Sequence, residues 1–133
     1  MGLKILDRMN SITLKPEINE LYTLNDFISN ELGEENLQVN LIIEEIFVNI
    51  IDYSKTDFII VNAEFEKAIL TVEFIDNGIE FNPLLKENPP LPNTIDEAQI
   101  GGLGIFLTKE MADGLDYSYI DGENHLKIIK KVE

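Results

Sequence analysis

The sequence has 133 residues, 44% of them hydrophobic, and no cysteine, which suits one domain and excludes disulfide frameworks, thiolate zinc sites and cysteine nucleophiles. Acidic residues number 25 against 10 basic ones, a formal charge of −15 whose field repels nucleic-acid phosphates and anionic membranes. A phosphate-bearing ligand meets the same repulsion, so holding one calls for a divalent cation and oriented backbone N–H groups, while a basic or mixed-charge protein surface is a suitable partner.

In chain order, Met1-Gly2-Leu3-Lys4 opens without an apolar signal core. Glu44-Glu45 interrupts the longest apolar region, Leu41 to Ile51, so neither secretion nor a membrane span is expected and a cytoplasmic location is. Met9 to Leu14 predicts an opening strand. Pro16 then suits the first turn of a helix with Leu21, Leu24, Phe27, Ile28 and Leu32 on one face, stopped by Gly33. A second helix, from about Leu37 to Tyr53, is apolar almost all round, the pattern of a buried helix, with Glu45 and Asn49 as the polar exceptions. Phe58 to Phe65 and Ala68 to Ile75 alternate with period two, as strands of a hairpin turning at Glu66-Lys67.

Four prolines between Asn82 and Gln99 predict a mobile loop, a lid over about 82–100. Leu103 to Ala112 reads as a helix. Leu115 to Ile120 and His125 to Val132 read as closing strands around Asp121-Gly122-Glu123-Asn124. The order β-α-α-β-β-α-β-β predicts an α/β (α+β) two-layer sandwich, a mixed, mainly antiparallel sheet with helices on one face, as a single domain over 1–133.

Three motifs bear chemistry. In Glu45-Ile-Phe-Val-Asn49 the i, i+4 spacing places a carboxylate and a carboxamide one turn apart on one helix face. The carboxylate can take a proton from a hydroxyl or water and the amide oxygen is a hard ligand for Mg²⁺; a solvated polar pair fits the same spacing. Asp76-Asn77-Gly78-Ile79-Glu80-Phe81-Asn82-Pro83 follows a strand and reads either as a hairpin turn or as an adenine site, with Asp76 accepting from the exocyclic amine and Gly78 giving the purine access to the backbone. Ile100-Gly101-Gly102-Leu103-Gly104-Ile105 feeds a helix, so its N–H groups can cradle a polyphosphate, or the glycines serve as a hinge. Its spacing matches neither a P-loop nor a Rossmann fingerprint.

Together and in this order, Glu45-x-x-x-Asn49, Asp76-x-Gly78-x-x-Phe81-Asn-Pro83 and Gly101-Gly-Leu-Gly-Ile105 resemble the N, G1 and G2 boxes of the GHKL superfamily, the histidine-kinase-like ATPases with a Bergerat-type fold. The short chain, the Gly-Gly-Leu-Gly-Ile-Phe-Leu form and the ending Tyr117…Gly122-Glu-Asn124-His-Leu126 resemble its anti-sigma-factor serine/threonine protein kinases, and the likeness runs from about Ile12 to Lys130. The resemblance implies ATP and Mg²⁺ as ligands. It implies Glu45 as general base, Asn49 as Mg²⁺ ligand, Asp76 and Gly78 as adenine contacts, and Gly101, Gly102, Leu103, Gly104 and Ile105 around the phosphates, with Thr108 and Lys109 further along the helix. It also implies an anti-anti-sigma (STAS-type) protein substrate, a sigma factor as second partner, and a homodimer.

One departure bears on the chemistry. Charge on a transferred phosphoryl group is commonly met by a positioned cation, yet the only arginine is Arg8 and the lid carries only Lys86. A nucleotide-gated binding module and a slow ATPase therefore stand beside the kinase reading. His125 has no second histidine near it and is assigned no chemistry, and Lys127, Lys130 and Lys131 are read as solvating charges on a terminal strand.

Overall fold

The computed structural model of the chain describes residues 9–85 and 103–132. Chain order is β1 (Asn10–Leu14), a 3-10 turn (Ile18–Glu20), α1 (Leu21–Leu32), α2 (Leu37–Tyr53), β2 (Ile59–Glu66), β3 (Ile69–Asp76), a second 3-10 turn (Pro83–Leu85), α3 (Leu103–Met111), β4 (Gly114–Ile120) and β5 (Glu123–Lys131). The five strands form one sheet in the order β1-β2-β3-β5-β4. All four pairings are antiparallel, so the expected α+β two-layer sandwich is present with no parallel pair among the described strands.

Period-two alternation sorts the strand residues onto two faces. Ile59, Val61 and Ala63 of β2, Leu70, Val72 and Phe74 of β3, and Leu126 and Ile128 of β5 are buried on the face that carries the helices. There Val39, Ile42 and Ile43 of α2 approach Leu70, Val72 and Ile128. The other face is mixed: Asn62, Glu73 and Lys127 follow one another across three strands. His125 lies on that face with Nδ1 3.6 Å from Glu73 and Nε2 3.7 Å from Glu123.

Both hairpins close with two-residue turns whose central residues have positive φ, as type I′ turns require: Lys67 (54°) and Ala68 (64°), then Asp121 (52°) and Gly122 (79°). The first turn sits one residue later than Glu66-Lys67 because the ladder runs on to Glu66 opposite Ile69. The helices differ from expectation in two places. Pro16 does not open α1 directly; a 3-10 turn intervenes, and the Lys15 N–H donates to Glu20 Oε2 at 3.0 Å. α2 is not buried all round: Leu37 is 80% and Leu41 54% exposed, because the sheet, α1 and α3 cover the helix on the other sides. The described start of the predicted lid is ordered, with Asn82 Oδ1 accepting from Leu84 N at 2.9 Å; residues 86–100 lie outside the described residues.

Helix ends obey capping chemistry. Gly33 takes φ +84° and its N–H donates to Ser29 O at 2.8 Å, while Asn36 Oδ1 accepts from Val39 N at 3.0 Å at the start of α2. Asn36→Ala removes that cap, and thermal or urea unfolding is expected to show a loss of about 1 kcal/mol. Among the described residues no helix is long and apolar enough to cross a membrane.

Candidate functional site

The C-terminal half of α2, the end of β3 with its following loop, and the start of β5 meet at one end of the sheet. On α2, Asn49 is 6% exposed, and its Nδ2 donates to Glu45 O at 2.8 Å and stands 3.4 Å from Glu45 Oε2. The i, i+4 spacing thus does bring the two side chains together. It turns the nitrogen end of the carboxamide toward the helix, the orientation in which the oxygen end would face a metal. Glu45 is half-buried rather than fully solvated.

Asp76 ends β3 and is 2% exposed. One oxygen, Oδ1, accepts three hydrogen bonds: from Ser54 Oγ at 3.1 Å, Gly78 N at 2.9 Å and Asn124 Nδ2 at 2.9 Å. Oδ2 has no hydrogen-bond partner among the described residues. A buried carboxylate with one oxygen saturated and the other unused is arranged to accept from a ligand N–H. The hairpin-turn alternative for this motif does not hold, since β3 pairs with β2 and β5 and residues 77–82 lead off the sheet into the Pro83–Leu85 turn.

Gly78 has a purpose that the motif alone does not show. A Cβ built there would lie 2.1 Å from Ser54 O and 2.5 Å from Ser54 Oγ, and the neighbouring Ile79 N donates to Ser54 O at 2.7 Å. The glycine therefore seats the loop against the end of α2. Asn77 fastens the same loop: its Oδ1 accepts from Asp57 N at 3.0 Å, and its own N–H donates to Thr56 Oγ1 at 3.0 Å. The rings of Tyr53 and Phe81 stand 5.2 Å apart beside it.

Asn124 is 3% exposed and uses both ends of its amide. Nδ2 donates to Asp76 Oδ1 and, at 2.8 Å, to Ile79 O; Oδ1 accepts from Phe81 N at 2.9 Å and from the Tyr117 hydroxyl. Burial pushes the Tyr117 phenol above its ordinary value, against the lowering effect of its contact with the Phe81 backbone, so it serves as a neutral O–H donor. Ser54, Tyr117 and Asn124 had no assigned role in the motif reading. Only Asn124 and Tyr117 stood in a stretch with any signal, the Tyr117…Asn124 ending.

α3 packs against α2 and begins at Leu103, which puts Leu103, Gly104 and Ile105 in a first turn whose N–H groups lack intrahelical acceptors. The Ile105 side chain is 1% exposed in the core, so only its backbone can address a phosphate. Thr108 is fully buried and its Oγ1 has no partner among the described residues, a polar atom of the kind a ligand or its bound water would satisfy. Lys109 occupies the last turn of α3, half-buried. Gly101 and Gly102 lie outside the described residues.

The oxygen of buried Asp76 that has no partner among the described residues suits a ligand N–H, and the start of α3 offers backbone N–H groups. Residues 22–130 match the model of the histidine kinase-like ATPase domain, and the chain belongs to that family. Membership of an ATPase-domain family implies ATP as the ligand. One similar protein is the serine/threonine-protein kinase BtrW of Bordetella bronchiseptica, 36% identical over 59 residues, a stretch that is 44% of this chain and 42% of BtrW. The chain thus covers less than half the length of that relative. In fold, the chain is similar to the histidine kinase AdeS of Acinetobacter baumannii, with a TM-score of 0.53 and 11% identity over 95% of this chain and 69% of that one.

Proposed function

We propose that the chain is an ATP- and Mg²⁺-dependent serine/threonine kinase that phosphorylates a serine of an anti-anti-sigma (STAS-type) protein, and that it also binds a sigma factor as a cytoplasmic homodimer. The observation that carries the reading is Asp76, buried, with Oδ1 held by three donors and Oδ2 left to accept from the adenine amine. The BtrW likeness supports serine/threonine as the acceptor class, and Glu45 supports transfer rather than binding alone.

Asn49 Oδ1 would hold Mg²⁺, which when bound would neutralise phosphate charge. Glu45 takes the proton of the attacking hydroxyl, and the N–H groups opening α3 and the Thr108 hydroxyl orient the phosphates. The scarcity of arginine favours a second reading, a module that closes on ATP and releases or captures a partner without transferring phosphate, while a slow ATPase would need the same Glu45 with water as acceptor.

Calorimetry with ATP, ADP and GTP in Mg²⁺ is expected to show adenine nucleotides binding best. Asp76→Asn should weaken ATP binding by about 1–3 kcal/mol, because an amide at this position either loses the acceptor or presents a donor to Ser54, Gly78 and Asn124. Equal ATP affinity of the two proteins would remove the adenine assignment. Transfer of labelled phosphate to a cognate partner separates the kinase from the module: no transfer, with partner affinity still changed by ATP, selects the second reading.

A further inference from the structure

Asn124 stands opposite Asp76 in the β3–β5 ladder, and its side chain bonds four groups: Asp76 Oδ1, Ile79 O, Phe81 N and the Tyr117 hydroxyl. The site thereby holds a rigid donor, since both N–H bonds of the amide are committed and its oxygen is fixed by two donors. Ser54 and Gly78 reach Asp76 from the end of α2 and from its own loop; Asn124 alone reaches it from β5.

We propose that Asn124 is the positioning residue that makes this site discriminate a 6-amino purine from a 6-oxo purine. The inference rests on the nucleotide reading of Asp76. The physical argument concerns what replaces the side chain when it is removed. Asn124→Ala leaves a buried space bounded by Asp76 Oδ1, Ile79 O, Phe81 N and the Tyr117 hydroxyl, enough polar partners to hold a water. A carboxylate can only accept, so Asp76 fixed by its three donors attracts a 6-amino group and repels a 6-oxo group. A water beside it can reorient to donate or accept, and a carboxylate short of one fixed donor can swing to meet that water. The contrast between the two purines then shrinks.

ADP and inosine 5′-diphosphate differ at position 6 and in the N1 proton that the 6-oxo form carries, so calorimetry with both, on the whole chain, reads the effect. Wild type is expected to prefer ADP by about 30-fold, the order set by one unpaired buried polar contact. Asn124→Ala should narrow the preference to below about 5-fold. Tyr117→Phe, which frees one of the two donors fixing the amide oxygen, should narrow it by at least about 2-fold while leaving the far-ultraviolet circular dichroism unchanged.

A merely structural role would lower affinity for both nucleotides together and leave their ratio in place; an unchanged ratio in Asn124→Ala overturns the proposal. Should Asn124→Ala fail to fold, Tyr117→Phe decides on the same terms. Wild type binding neither nucleotide would remove the nucleotide reading itself. Wild type binding ADP but not discriminating would remove both the Asp76 assignment and this inference, whereas discrimination that survives in both variants removes the inference alone.

Discussion

Glu45→Gln is expected to bind ATP nearly as wild type does and to transfer its phosphate roughly 10²–10⁴-fold more slowly, the usual contribution of a positioned base. The glutamine keeps the size of the side chain and can still accept from Asn49 Nδ2, so the local geometry of α2 survives. What it loses is the capacity to take a proton at neutral pH. Asn49→Ala should behave differently. It removes the proposed metal ligand and leaves Glu45 O without its 2.8 Å partner, so both affinity and transfer should fall. Single-turnover transfer of labelled phosphate at saturating MgATP, alongside calorimetry, separates the two patterns. Glu45→Gln at the wild-type rate would mean that another group, or none, takes the proton.

Gly78→Ala should have the largest effect on stability. The added methyl would sit 2.1 Å from a backbone carbonyl oxygen at the end of α2, and no side-chain rotation relieves a contact with backbone. Either the loop lifts or α2 frays, and in both cases the Ile79 N–Ser54 O bond and the Gly78 N–Asp76 bond stretch together. A cost of about 3 kcal/mol is expected from overpacking and lost hydrogen bonds, a fall in melting temperature of roughly 10 °C for a domain of this size. ADP affinity should drop as well, since Asp76 loses one of three fixed donors. A melting temperature unchanged within a degree would show that the loop sits less tightly on Ser54 than the structure has it.

How much of this was legible in the sequence depended on the range of the interaction. The α2 boundaries, Leu37 to Tyr53, follow from local periodicity within a few turns of helix, whereas the Asn36 cap emerged only with the structure. The closing turn is equally local, but the four-residue Asp121-Gly122-Glu123-Asn124 expected there is two residues too long, because Glu123 and Asn124 pair with Ile120 and Tyr119 and open β5. The Lys67-Ala68 turn shifted by one residue because no glycine marks it, and an alanine at φ +64° is held by the ladder on either side. The exposed face of α2 could not be read from composition, because Leu37 and Leu41 look like core until the neighbours are placed.

At the site, Glu45 and Asn49 share a helix turn, so their adjacency was legible from spacing. Asp76 was found by its motif, but the reason for Gly78 was not: its constraint comes from Ser54, far back along the chain. Asn124 lies 48 positions from Asp76 and Tyr117 joins it across β4 and β5, so their hydrogen bonds exist only once the sheet is built. Spacing rules reach one helix turn or one hairpin and no further.

The pairing of Asp76 with Asn124 has a consequence for how the chain matures. Residues on adjacent positions of a strand point to opposite faces, so a slip of β5 by one residue would send Asn124 to the open face and bring Glu123 or His125 toward Asp76. A misaligned molecule would then place a second acid, or an imidazole, where the amide belongs, and its purine seat would be spoiled. Nucleotide would stabilise only the correctly aligned population, in proportion to its concentration over the dissociation constant. On the proposed nucleotide reading, ligand present during synthesis would draw the ensemble toward the one strand alignment that can bind it.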